Sequence, residues 1–168
     1  MAKEEVFLPS LWHRLMAAGD SESQHIPIIQ QSFEQLKASV AHDLEDLLNT
    51  RVAIPTDRLA FYPRCRKSIF NYGLIDFAAF CTTSAEDRKA ICRHVNTAIA
   101  RFEPRLTHVQ VDIFIEQSST NRIDFVISGK LKARPFDRIE FNAMLQPSSL
   151  RYSVKPDVRG TAKRLERP

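Results

Sequence analysis

Hydrophobic positions along this chain recur with two different periods, and the change falls at residue 104. Near the start, Leu8, Leu11, Trp12 and Leu15 form one apolar stripe and Pro9 suits a first helical turn, which predicts a short helix over 8–18. The polar stretch Gly19-Asp20-Ser21-Glu22-Ser23-Gln24 follows, so this helix reads as a detached arm. Its stripe, anchored by Trp12, has to cover either its own body or a partner's surface. A second helix is predicted from about Ile29 or Ser32 to Leu48, with Phe33, Leu36, Val40, Leu44 and Leu47 on one face and a stop at Asn49-Thr50. Residues 50–83 show no clear period. Within them Ser68-Ile69-Phe70-Asn71-Tyr72-Gly73 ends in a turn signal, since glycine tolerates positive φ. The small basic cluster Arg64-Cys65-Arg66-Lys67 reads as a solvated loop. Ser84 is a good N-cap for a third helix, with Glu86 and Asp87 near the positive end of its dipole. Ile91, Val95, Ala98, Ile99 and Phe102 form its buried stripe.

Pro104 pushes its predecessor out of helical backbone space, so the third helix should end near Glu103. After it the period is two: Val109, Val111, Ile113 and Ile115 alternate with His108, Gln110, Asp112, Phe114 and Glu116. Ser118 to Asn121 make a turn, and Ile123, Phe125 and Ile127 start a second strand. A third carries Ile139, Phe141, Ala143 and Leu145 against Arg138, Glu140, Asn142 and Met144. One sheet face is apolar and the other largely polar, the pattern of an antiparallel sheet covered on one side. The expected fold is therefore a two-layer α+β domain, with helices first, packed on one face of a small antiparallel β-sheet, and a β-meander last. Three parts follow: an N-terminal helical arm and linker over 1–31, a domain over 32–145, and a basic tail over 146–168 that is expected to be flexible.

Composition narrows the function. A chain of 168 residues with 43% hydrophobic residues and eleven phenylalanines can bury a sizeable core. No run approaches the ~20 apolar residues needed to span a bilayer, and the start lacks a secretory pattern. Three cysteines, Cys65, Cys81 and Cys92, without metal spacing read as reduced thiols, which points to a cytoplasmic location. The formal charge of +4 is local, because residues 147–168 hold six of the 24 bases and two of the 20 acids. The body is thus electroneutral. The basic tail is either a solvated end or a contact for nucleic acid or an acidic partner, and nucleic-acid binding by the folded body is not expected.

No catalytic constellation is present. The chain has four glycines and no phosphate loop, its five histidines show no H-E-x-x-H spacing, and there is no G-x-S-x-G elbow. No catalytic, cofactor-binding or metal-binding residue is assigned, and no cofactor is expected. The remaining enzymatic option is a glycosidase, which needs a carboxyl group kept protonated. Glu103 is the candidate, but Arg105 beside it favours the ionised form, the wrong direction for an acid. The corner Phe102-Glu103-Pro104-Arg105-Leu106 is nonetheless unusual. It puts an acid at a helix C-terminus, where the macrodipole favours a base, with an arginine two positions on. It is either a helix stop with a small surface ion pair or a functional element.

Asn49-Thr50-Arg51, then Ser68 through Leu74, then Ile99 through Leu106 with Glu103-Pro104-Arg105, occur in the order and spacing of the phage-tail baseplate wedge family. Over about positions 8–145 the chain resembles the TssE-type baseplate subunits of type VI secretion systems, whose N-terminal segment is similar to Ser10-Leu11-Trp12-His13-Arg14-Leu15. His13, Ile75 and the tail after Leu145 depart from that pattern. The resemblance implies a structural, non-enzymatic wedge subunit of a contractile injection machine. It implies docking of Glu103, Pro104 and Arg105 on a helical bundle of the larger wedge subunits TssF and TssG. It also implies a sheet edge joined to the first ring of the TssB–TssC sheath, within a baseplate that includes TssK and the VgrG spike. The baseplate would sit in the bacterial cytoplasm at the inner face of the membrane. Some phage relatives carry a lysozyme label, which the charge argument at Glu103 gives a reason not to transfer. A regulatory anti-adaptor of the same fold is the alternative from another class, and a peptidoglycan hydrolase a remoter one.

Overall fold

The computed structural model describes residues 32–55, 58–66, 68–77, 80, 81, 84–116, 122–146, 149 and 151–157, together with Phe7. The arm helix, the linker, Lys67 and the residues after 157 lie outside these. Two long helices precede a sheet of four strands in the order β1-β2-β3-β4, every neighbouring pair antiparallel. This is the expected two-layer α+β meander.

Helix α1 spans Phe33–Asn49. Ser32 starts it with a reciprocal cap: its hydroxyl accepts from the Gln35 amide at 3.3 Å, and its own amide donates to Gln35 Oε1 at 2.8 Å. Leu36, Val40, Leu44, Leu47 and Leu48 form its buried face. A short helix, α2 (Pro63–Arg66), and a 3-10 turn, Ile69–Asn71, occupy the segment without period. Helix α3 spans Ala85–Phe102 from the Ser84 cap, and buries Ile91, Val95, Ala98 and Ile99. Both long helices lie on one face of the sheet, α1 against the β4 side and α3 against the β1 side. Between them and Phe125, Ile127, Leu131, Phe141 and Ala143 lies a single apolar core.

Strand β1 (Leu106–Glu116) carries a device that alternation alone does not reveal. Leu106 and Val111 are both buried although five positions apart, and strict alternation would put them on opposite faces. The register against β2 (Arg122–Leu131) shifts between Thr107 and Gln110, so one extra residue is absorbed opposite Gly129. His108 takes φ 52° there. The bulge restores the parity that lets α3 hand over to the sheet with both apolar positions facing inward.

Strand β3 (Arg134–Gln146) follows a tight turn at Lys132-Ala133. It is paired with β4 (Arg151–Pro156), which corrects one expectation. Residues 151–156, assigned above to a flexible tail, are the last strand of the sheet. Tyr152 and Val154 are buried while Arg151 and Lys155 are exposed, so an alternating pair of apolar residues lay hidden in a basic stretch. The strand is also seated by α1. The Asn49 amide donates to the Tyr152 carbonyl at 2.9 Å and accepts from the Tyr152 amide at 2.8 Å, and Glu45 Oε2 accepts from the Val154 amide at 2.8 Å. Burial pushes the Tyr152 phenol up to about 12; Arg51 opposes that shift and Asp124 adds to it. Asn49→Ala should cost about 1–3 kcal/mol in urea denaturation, since it strips both partners from one buried backbone site. Amide exchange at Tyr152 should accelerate while exchange in β2 is unchanged.

Candidate functional site

Glu103 ends α3. Its amide still donates to the Ile99 carbonyl at 2.8 Å, but its backbone has left helical space at φ −117°, ψ 77°. Pro104 then turns the chain, and the Leu106 amide closes the turn on the Glu103 carbonyl at 3.2 Å. This short corner places the Glu103 carboxylate and the Arg105 guanidinium side by side. Arg105 Nε donates to Glu103 Oε1 at 2.7 Å, its Nη2 donates to Glu103 Oε2, and its backbone amide donates to Oε1 at 3.1 Å. The pair is a two-pronged fork, a geometry that lysine cannot reproduce.

Arg105 does not stop at its neighbour. Nη2 also bonds Asp43 Oδ2, and Nη1 donates to Ser39 Oγ at 3.3 Å, both on α1. Its carbonyl accepts from the Lys132 amide, in the β2–β3 turn, at 2.9 Å. One side chain and its backbone therefore tie the end of α3, the middle of α1 and a sheet turn together. Burial works against the Arg105 charge, but the hydrogen bonds and charge of Glu103, then those of Asp43, outweigh it and raise its pKa. Glu103 is only 3% exposed, so the acid that looked misplaced at a helix end is a buried partner for that arginine. Both of its oxygens accept hydrogen bonds from Arg105.

The other two sequence stretches converge on the same corner. The Leu74 amide donates to the Thr50 carbonyl at 2.8 Å and the Val52 amide to the Leu74 carbonyl at 2.9 Å, joining residues 50–52 to Leu74. Gly73, at φ 109°, permits this: a Cβ there would lie 2.5 Å from the Thr50 carbonyl oxygen. Tyr72 beside it meets the Phe102 ring edge-on, with centroids 5.1 Å apart. Burial is the main cause that raises the Tyr72 phenol pKa, and the charges of Asp46, Asp43 and Glu103 add to it. Asp43, Leu47, Tyr72, Phe102 and the three corner residues line an open cleft of about 430 Å³.

Of the three residues singled out from sequence, Pro104 is exposed, Arg105 half-buried and Glu103 buried. Sequence reasoning did not identify Ser39, Asp43 or Tyr72 as their partners. A signal for two of them existed: Ser39 and Asp43 are four apart, hence stacked on one flank of α1 beside its apolar stripe. Among the described residues no group of three or more His, Cys, Asp or Glu side chains is placed to hold a metal ion, and the three cysteines form no disulfide with one another. No helix there is long and apolar enough to cross a membrane.

A family model described as baseplate wedge protein gp25 matches residues 34–135, from α1 into the start of β3. The match contains the whole corner and its partners on α1. None of the curated proteins compared with the chain matches it. Replacing Arg105 with Met should cost about 2–4 kcal/mol, because it strands Glu103 in the core; solvent reaching Asp43 keeps this below the cost of breaking a fully buried pair. In a urea double-mutant cycle, Glu103→Gln with Arg105→Met should cost clearly less than the sum of the single changes.

Proposed function

The chain belongs to the baseplate wedge protein gp25 family, and on that premise we propose that it is the wedge subunit of a type VI secretion baseplate which links the wedge to the first ring of the contractile sheath. A structural role in a phage-tail-like baseplate, in contact with other baseplate components, follows from the family itself. The finer reading rests on the resemblance to TssE-type subunits and on the form of the corner.

The observation that carries it is a surface cleft whose rim is fixed before any partner arrives. Glu103 and Asp43 hold Arg105, proline fixes the turn, and Tyr72 packs against Phe102, so little ordering entropy remains to be lost on docking. We assign this cleft, with Glu103, Pro104 and Arg105 at its rim, to the helical bundle of TssF and TssG. Glu103 acts there as a support beneath the surface, while Pro104 and the outer face of Arg105 make the contact. The site performs no catalysis in this reading.

The sheath link is assigned to β1. The edge of β4 is closed by Asn49 and Glu45 on the Tyr152 and Val154 backbone, and its last residue, Pro156, has no N–H. Strand β1 is 11 residues long against six for β4. A described backbone cap on it comes from α3, where Asn96 donates to the Val109 carbonyl at 3.1 Å. A strand from the sheath would add beside Phe114, which is exposed. TssB, TssC, TssK and the VgrG spike are the further partners of this assembly, at the inner face of the cytoplasmic membrane.

Charge reversal at Glu103 would confound docking with folding, so the exposed proline is the better probe. Pro104→Asp should lower co-purification with TssF and TssG by about tenfold, the size expected for an uncompensated charge in a docked interface, with thermal unfolding little changed. Undiminished association by a folded variant would reject the corner as a docking site. Phe114→Lys on β1 should instead leave wedge association intact and reduce the number of sheaths assembled on baseplates, counted by electron microscopy.

A further inference from the structure

Four of the seven large hydrophobic side chains exposed among the described residues, Phe61, Tyr62, Ile69 and Phe70, lie within ten positions of one another. Phe61 is 87% exposed and Ile69 76%, far more than a scattered surface apolar residue needs. They are interleaved with Arg58, Arg64 and Arg66, all exposed and none in an ion pair with a described residue. Beside this knob, between it and α3, opens a second cleft of about 240 Å³. Arg66, His94 and Arg101 stand around it, Leu74 and Ala98 form its apolar floor, and no carboxylate among the described residues lines it. Phe102 is shared with the corner cleft, so the two clefts adjoin at that residue.

The two clefts differ in how their arginines are used. Four of the five side-chain N–H groups of Arg105 are taken by Glu103, Asp43 and Ser39. Arg66 and Arg101 have no acidic partner among the described residues, and Arg101 rests near the Phe102 ring at 5.8 Å. The cationic hydrogen-bonding capacity left for a partner is therefore greater in the second cleft than at the motif. Three classes of partner suit arginine with aromatic residues. Nucleic acid is disfavoured because the chain outside its last 22 residues is electroneutral, and phosphate binding draws on a net excess of cations. A lipid surface is disfavoured because α2 has four residues, too few for an interfacial helix. Phe, Tyr and Arg together are the composition of protein hot spots, and cations over an apolar floor complement a carboxylate with apolar neighbours.

We infer that the surface formed by Ile69, Phe70, Arg66 and Arg101 docks a protein segment in which an Asp or Glu lies beside apolar side chains. The carboxylate is taken by Arg66 and Arg101, and its neighbours cover Phe70 and the cleft floor. This surface is distinct from the corner, and either can fail without the other.

The test places photoreactive benzoyl-phenylalanine at position 70 of the full chain, co-expressed with the baseplate and sheath proteins, and maps the cross-linked peptide by mass spectrometry. The expected product is one partner segment with an acid beside apolar residues. Arg66→Glu with Arg101→Glu should lower the yield at least about tenfold, and reversing the partner's acid to arginine should restore it, as charge complementarity requires. Should the double reversal unfold the chain, Arg66→Gln with Arg101→Gln reads the same loss. Cross-linking to nucleic acid, lipid or a second copy, no cross-link, or a yield indifferent to the charges in a folded chain would each overturn the inference.

Discussion

Arg105 holds the two layers of this protein in register. A helix end, the flank of another helix and a sheet turn all bond to one guanidinium or to its backbone, across sequence separations of two, 66 and 27 residues. The arrangement is stable because each half repairs a defect in the other. A carboxylate at the end of α3 opposes the dipole and is nearly excluded from water, and an arginine half-buried between layers needs anions. Paired as a fork, with Asp43 completing the set, neither is left uncompensated.

That solution shapes the surface beside it. Because Glu103 and Asp43 occupy Arg105 from within, the corner is a rigid contour with little uncompensated charge. In the adjoining cleft the balance is reversed, with arginines lacking described acidic partners around an apolar floor. A scaffold subunit benefits from both kinds of surface. A contour fixed by internal bonds keeps its orientation under load, whereas free cations select a partner by charge.

Much of the architecture was legible in the residues. Ser32 and Ser84 cap the helices as their types suggest, the apolar stripes of α1 and α3 are the buried faces, and Pro104 marks the change of period. The fourth strand was not legible, because Tyr152 and Val154 supply only two apolar positions amid exposed bases, too few to establish a period. Besides pairing with β3, its backbone is held by Asn49 and Glu45, more than a hundred residues away in sequence. The bulge at His108 escaped for a related reason. The alternation after residue 109 is regular, and only the burial of Leu106 shows that the phase had to be reset.

The site divides along the same line. Local sequence determined the corner itself, since proline ends a helix and a short turn leaves an acid and a base two residues apart within reach. It also determined the family, through stretches whose order and spacing survive translation into one dimension. What the acid does was decided only in three dimensions. Whether a carboxylate is a surface partner, a proton donor or a buried strut depends on its exposure and on which groups reach it. Ser39, Asp43 and Tyr72 reach the corner only once the helices have packed on the sheet.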